Sequence, residues 1–223
     1  MKSKIFAAAG SVFFCAILTA ALPAADKAAP KPAGPPPNFS FVDTNDAAVA
    51  DLTEFGSKTI EQVGGQLISE VARELATKET SLAVSVLHLK GLEMPKSAPG
   101  QPVVTAIKFT SVLVRNHLNA PDPADQAALD KIQVELDNDR PAPKLLLQKV
   151  DHPGAAPEWR VYRPIAATQA CLACHGDPDN FRPGVKEALN RFYPEDKATG
   201  YSAHEWRGFI RVSLTAAIPA ASK

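Results

Sequence analysis

The feature that most constrains this chain is the run Cys171-Leu172-Ala173-Cys174-His175. Two thiols at this spacing can form thioethers with the two vinyl groups of one porphyrin, and the histidine that follows then lies beneath the iron. The spacing therefore predicts one covalently attached haem c per chain, held by Cys171 and Cys174, with His175 as the proximal iron ligand. We expect the rest of the chain to form the housing for this group.

Three other uses of two nearby cysteines remain open. A structural zinc site takes four Cys or His ligands, so two distant histidines would have to join the pair. A thioredoxin-like dithiol begins a helix in a βαβ context, which the sequence before Cys171 does not show. A disulfide within the motif would close a very small loop and add little stability.

The first 25 residues have the pattern of a secretory signal peptide. Lysines precede an apolar run from Ile5 to Leu22, and small residues follow it. We expect cleavage and a periplasmic or otherwise exported protein, with an uncleaved leader that anchors the chain in a membrane as the alternative. Cleavage would also remove Cys15, so the motif would hold the only cysteines of the mature chain.

Composition indicates one domain after the leader. Lys plus Arg and Asp plus Glu each number 24, so the formal net charge is zero and favours neither nucleic acid nor an anionic membrane as a partner. No later stretch is apolar enough to span a bilayer. Residues 26–42, rich in Pro and Ala, predict an extended tether, residues 43–218 the domain, and residues 219–223 a short tail.

Within the domain, the order of elements predicts an α+β fold. An apolar stripe from Val49 to Leu75 indicates a long N-terminal helix, and Gly56, Gly64 and Gly65 mark either a bend or a close approach to another helix or to the haem face. Such a stripe can pack on its own domain or on a second chain, so a homodimer is one expected arrangement. One further helix is expected over residues 122–138. Strands are expected over residues 103–116, 144–150, 159–165 and 208–215.

Three segments resemble a known family. Residues 115–122 read RNHLNAPD, residues 163–165 lead into the cysteine motif, and residues 193–201 read YPEDKATGY, followed by Arg207-Gly208. Together they resemble single-haem periplasmic cytochromes with a PAS-like fold and haem c, a domain that also occurs as a sensor module. The resemblance covers residues 82–214 and implies a PAS-like antiparallel sheet packed against helices.

The resemblance leaves the distal iron ligand open. In the family prototype this ligand is a cysteine at the end of the long helix, where this chain has Leu87 followed by His88. Since the mature chain has no free cysteine, His88 is the predicted replacement. His117 replaces the family's usual proline and His204 its usual glycine, while His152 lies in a turn and is expected at the surface.

The predicted function is electron transfer through six-coordinate haem iron, with a redox partner protein and without enzymatic activity. Arg207 and Arg211 come from the segment that closes the domain, and guanidinium groups are good donors to haem propionates, with Arg207 also part of the family motif. A haem-based redox or gas sensor is the alternative. A peroxidase-type enzyme is the third hypothesis, although no distal His and Arg pair is evident in the sequence.

Overall fold

The computed structural model describes residues 38–88 and 93–215, so the predicted signal peptide and tail lie outside the described residues. It contains a long helix and one antiparallel sheet, which confirms the predicted α+β class. The elements are β1 (Asn38–Val42), α1 (Ala50–Thr77), α2 (Thr80–His88), β2 (Val103–Thr110), α3 (Pro123–Asp137), β3 (Leu146–Asp151), β4 (Glu158–Ala166), α4 (Leu172–His175), α5 (Val185–Phe192) and β5 (Trp206–Thr215).

The five strands follow the order β1-β3-β4-β5-β2, with every neighbouring pair antiparallel. β3 and β4 form the predicted hairpin. The predicted tether ends too late, because its last five residues form β1 and pair with β3, from Asn38 opposite Asp151 to Val42 opposite Leu147. Their alternating apolar side chains are a strand signal that the preceding proline-rich sequence obscures.

One face of the sheet packs on α1 through an apolar core. Ile60 from the helix and Val161, Val212 and Leu214 from β4 and β5 are buried together there. A Cβ at Gly56 would lie 2.4 Å from Cγ2 of Val161, so this glycine lets the helix approach the sheet. The predicted close approach is therefore made to β4 at Gly56, and at Gly64 a Cβ would lie 3.2 Å from Cδ1 of Ile210 in β5.

The other face of the sheet packs on α3, which begins with a capping box formed by Asp122 and Asp125. Beneath this helix start lies a partly buried charge cluster, in which three cations meet three carboxylates. Arg160 donates to Asp122 at 2.8 Å and Arg211 donates to Asp125 at 2.9 Å. The members of the cluster are Lys108, Asp122, Asp125, Glu158, Arg160 and Arg211.

The segment after β2 leaves the sheet earlier than predicted. Residues 111–116 are irregular and lead into a 3₁₀ turn at His117–Asn119. The side chain of Asn116 accepts a hydrogen bond from the backbone of Leu118, which caps the turn and competes with strand pairing. Among the described residues, no helix has the length and apolar content to cross a membrane.

Candidate functional site

The cysteine motif forms α4, a four-residue helix in the chain between β4 and α5. The N–H of His175 donates to the carbonyl of Cys171 at 2.9 Å, and the helix ends at Gly176, where a Cβ would lie 2.7 Å from the carbonyl oxygen of Leu172. The two cysteines are not bonded to each other, and both are half-buried. The motif thus has a formed shape held by its own backbone.

The two thiols lie in different apolar surroundings. Cys171 packs with Ala167, Ala198 and Tyr201, and its sulfur lies 3.2 Å from the hydroxyl of Thr168. Cys174 packs against a second apolar cluster, which also contacts α2 and consists of Val84, Val185, Leu189 and their neighbours on α5. α4 therefore lies between two apolar clusters, each containing one of the cysteines.

The imidazole of His175 is oriented by the main chain. Its Nδ1 donates to the carbonyl oxygen of Ala198 at 2.7 Å, so Nε2 is the nitrogen available to a metal. Burial, together with the positive charges of Arg115 and Arg207, lowers the pKa of His175 to about 3. The ring is consequently neutral at physiological pH, which is the form that binds iron.

Arg115 joins the cysteine motif to the segment that carries Ala198. Its guanidinium donates to the carbonyl of Cys174, to the carbonyl of Ala198 at 3.2 Å, and through Nε to Asp196 at 2.9 Å. Asp196 in turn accepts from the N–H of Ala198 at 2.8 Å. Arg115 belongs to a segment that resembles the family, but nothing in the local sequence pattern indicates a partner 81 residues away.

His88 lies at the end of α2, beside the cluster that contains Cys174. Its ring stacks on Phe192 with centroids 4.7 Å apart and meets the ring of Tyr193 edge-on at 4.9 Å. Phe192 and Tyr193 both pack against the apolar cluster around Cys174. The Nδ1 of His88 is buried and has no hydrogen-bond partner among residues 38–88 and 93–215.

Arg207 lies near His175, whereas Arg211 does not. The guanidinium of Arg207 donates to the hydroxyl of Ser111 at 2.5 Å and lies over the ring of Tyr201, which itself meets His175 edge-on. Burial lowers the pKa of Arg207. Arg211 instead pairs with Asp125 at 2.9 Å in the charge cluster beneath α3, and the propionate role of Arg207 stays a prediction.

The other three histidines lie outside this constellation. His117 is exposed in the 3₁₀ turn, and His152 contacts Glu158 at 3.0 Å next to the β3–β4 turn. His204 is exposed and has a φ of 69°, a left-handed conformation that favours glycine. That conformation accounts for the glycine that the resembling family has at this position.

The donors present suit a haem better than a zinc ion or a redox dithiol. Within the described part of the chain, no three Cys, His, Asp or Glu side chains come together as a metal-binding group. Burial raises the pKa of Cys174, which disfavours the thiolate that a redox pair uses. A neutral imidazole with one free nitrogen, two unbonded thiols and the unpartnered Nδ1 of His88 fit a haem.

One family model matches this chain. The sequence model of the Tll0287-like family matches residues 54–215, which is most of the chain. Among solved structures, the cyanobacterial haem protein Tll0287 matches with 22% sequence identity and a TM-score of 0.36, over 52% of this chain and 62% of that chain. No curated protein sequence matches this chain.

Proposed function

The chain belongs to the Tll0287-like family, and from this membership we propose that it is an exported monohaem c-type cytochrome that transfers electrons. The observation that carries the proposal is the hydrogen bond from Nδ1 of His175 to the carbonyl of Ala198, which leaves Nε2 free at the end of an intact Cys-x-x-Cys-His motif. Metal-binding histidines characteristically donate their other ring N–H to a carbonyl or carboxylate.

In this proposal each residue has a separate task. Cys171 and Cys174 would hold the haem through thioethers, His175 would be the proximal iron ligand, and His88 would be the distal iron ligand. Arg207 is the proposed partner of a haem propionate. The haem, when bound, supplies a one-electron centre, while the protein supplies attachment, axial ligands and a partly apolar surrounding.

The proposal extends to location and partners. The predicted signal peptide supports export to the periplasm, where c-type haem is attached in bacteria. The balanced net charge favours neither nucleic acid nor an anionic membrane, and we propose a redox protein as the partner. We propose a carrier with one haem per chain and not an enzyme, with a homodimer through the long helix as an arrangement to be measured.

Covalent attachment tests the proposal most directly. We expect the exported protein to retain haem on denaturing gels, and Cys171→Ala combined with Cys174→Ala to abolish this haem stain. The matched control is Cys15→Ala, which lies in the predicted leader and should leave the stain unchanged. A double variant that stains as strongly as wild type would refute the assignment of the motif.

Optical spectra separate a carrier from the alternatives. Two firm axial ligands predict sharp low-spin bands in both oxidation states, unchanged by carbon monoxide. A large shift on addition of carbon monoxide would show an accessible iron, and the sensor and peroxidase hypotheses would then replace the carrier.

A further inference from the structure

We propose that Arg115 is a positioning residue for the proximal imidazole, which holds the Ala198 carbonyl against His175 and raises the reduction potential of the haem. The inference rests on the proposed function, since it concerns the potential of an attached haem. It assigns a task to a side chain that touches neither thiol and is not itself an iron ligand.

The carbonyl oxygen of Ala198 accepts two hydrogen bonds. Nδ1 of His175 donates to it at 2.7 Å and Nη2 of Arg115 donates to it at 3.2 Å. A carbonyl oxygen that also accepts a hydrogen bond from a cation is a weaker acceptor for the Nδ1–H, so the Nδ1 proton stays more tightly bound to the imidazole. Arg115 therefore limits the electron density that the imidazole gives to iron, and this favours the reduced metal.

Asp196 holds the contact between Arg115 and Ala198 in place. Nε of Arg115 donates to one oxygen of Asp196 at 2.9 Å, and the other oxygen accepts from the N–H of Ala198 at 2.8 Å. The guanidinium, the carboxylate and the peptide of Ala198 thus close a ring of hydrogen bonds. Both side chains are mostly buried, with 13% and 7% of their surface exposed, so water competes weakly for these bonds.

Arg115 is also connected to the cysteine motif itself. Arg115 also donates to the carbonyl of Cys174, the residue next to His175. One guanidinium therefore fixes the peptide before the imidazole and the carbonyl that the imidazole contacts. Arg115 also lies 5.9 Å over the ring of Tyr193, and Tyr193 in turn meets His88 edge-on. Arg115 is thus linked to His175 through Ala198 and to His88 through Tyr193.

The sign of the effect distinguishes this role from simple support. Removing Arg115 leaves the carboxylate of Asp196 without its cation, which favours ferric iron and lowers the potential. Removing the negative charge of Asp196 should instead favour ferrous iron and raise the potential. Mere loosening of the segment would instead move the potential in the same direction in both variants.

The test measures the midpoint potential and the ferric electron paramagnetic resonance spectrum of the haem-loaded full chain. We expect Arg115→Gln to lower the potential, Asp196→Asn to raise it, and Arg115→Lys to recover only part of the Gln shift, because lysine keeps the charge but loses the planar fork. The control is Arg140→Gln, which removes an arginine bound to Glu135 at the end of α3 and should leave both readings unchanged.

Each outcome decides the inference. An unchanged potential and spectrum in haem-loaded Arg115→Gln would overturn it, as would full recovery by Arg115→Lys or equal signs in the Gln and Asn variants. If Arg115→Gln attaches no haem, Arg115→Lys and Asp196→Asn still carry the test. A wild-type protein without covalent haem would overturn the proposed function and this inference with it, whereas wild-type haem with unmoved variants overturns the inference alone.

Discussion

Replacing Gly56 with alanine should destabilise the domain, although alanine is the better helix former. A Cβ at this position would lie 2.4 Å from Cγ2 and 2.8 Å from Cβ of Val161, a side chain with no exposed surface in the core between α1 and the sheet. Overpacking costs about 1–3 kcal/mol, and so short a contact with a branched side chain belongs in the upper half of that range. Alanine returns about 1 kcal/mol of helix propensity. The expected net loss in free energy of unfolding is about 1–2 kcal/mol.

Gly65→Ala in the same helix is the matched control. This glycine is exposed, and a Cβ there would meet nothing within 4 Å, so only helix propensity changes. We expect the free energy of unfolding to rise by about 0.5–1 kcal/mol. In a domain of this size, about 1 kcal/mol moves the melting temperature by about 2–4 °C, so thermal melts should separate the two variants by several degrees.

The two glycines test how α1 packs. A Gly56→Ala protein that melts at or above the wild-type temperature would refute the close approach of α1 to β4. A destabilised Gly65→Ala protein would refute the exposed position of the other glycine. Melts of both variants and the wild type in the same haem-loaded state keep the contribution of the cofactor constant.

Three further predictions concern acid stability, backbone strain and the distal ligand. Burial alone would raise the pKa of Glu158, but hydrogen bonds from Arg160 and its other partners lower it from 4.5 to about 2. The stabilisation by the Glu158 carboxylate is therefore present above pH 4.5 and lost as the pH falls towards 2. Glu158→Gln should lower the free energy of unfolding at neutral pH by about 3 kcal/mol and flatten its decrease between these pH values. An equally steep decrease in the variant would contradict this. His204→Gly should stabilise the domain by about 0.5–1 kcal/mol in urea unfolding because it relieves a left-handed φ, and His204→Ala, which cannot, should not; equal effects would refute the strain. His88→Ala should alter the low-spin optical spectrum while His152→Ala leaves it intact, and an unchanged spectrum in the first variant would remove His88 from the iron.

The elements that the sequence predicted well have local signals. α3 follows from Asp122, a proline at the first helical position and Asp125, and the β3–β4 hairpin follows from two β-rich runs separated by a turn. β1 was missed because its partner strand lies more than a hundred residues away. A short strand without a neighbouring turn signal resembles the end of a tether.

The polar pairs between residues far apart in the chain could not be predicted from the sequence either. Arg207 and Arg211 have the same donor chemistry, and only the folded sheet separates the one near His175 from the one that meets Asp125, 86 residues away. The proximal contact of His175 depends on a main-chain carbonyl, which no residue type identifies. The motif thus indicated the chemistry of the site, while the residues that orient it needed the fold.

The two faces of the sheet should come apart by different routes. α1 is held mainly by apolar contacts, with one partly exposed ion pair between Arg163 and Glu61, whereas the start of α3 is held by the charge cluster. The cluster lowers the pKa values of Asp122 and Glu158, so protonation of these two carboxylates at low pH weakens mainly the second layer, since hydrocarbon contacts do not titrate. Acid should therefore produce a partly opened state in which α3 exchanges its amide hydrogens early while α1 and the central strands stay protected.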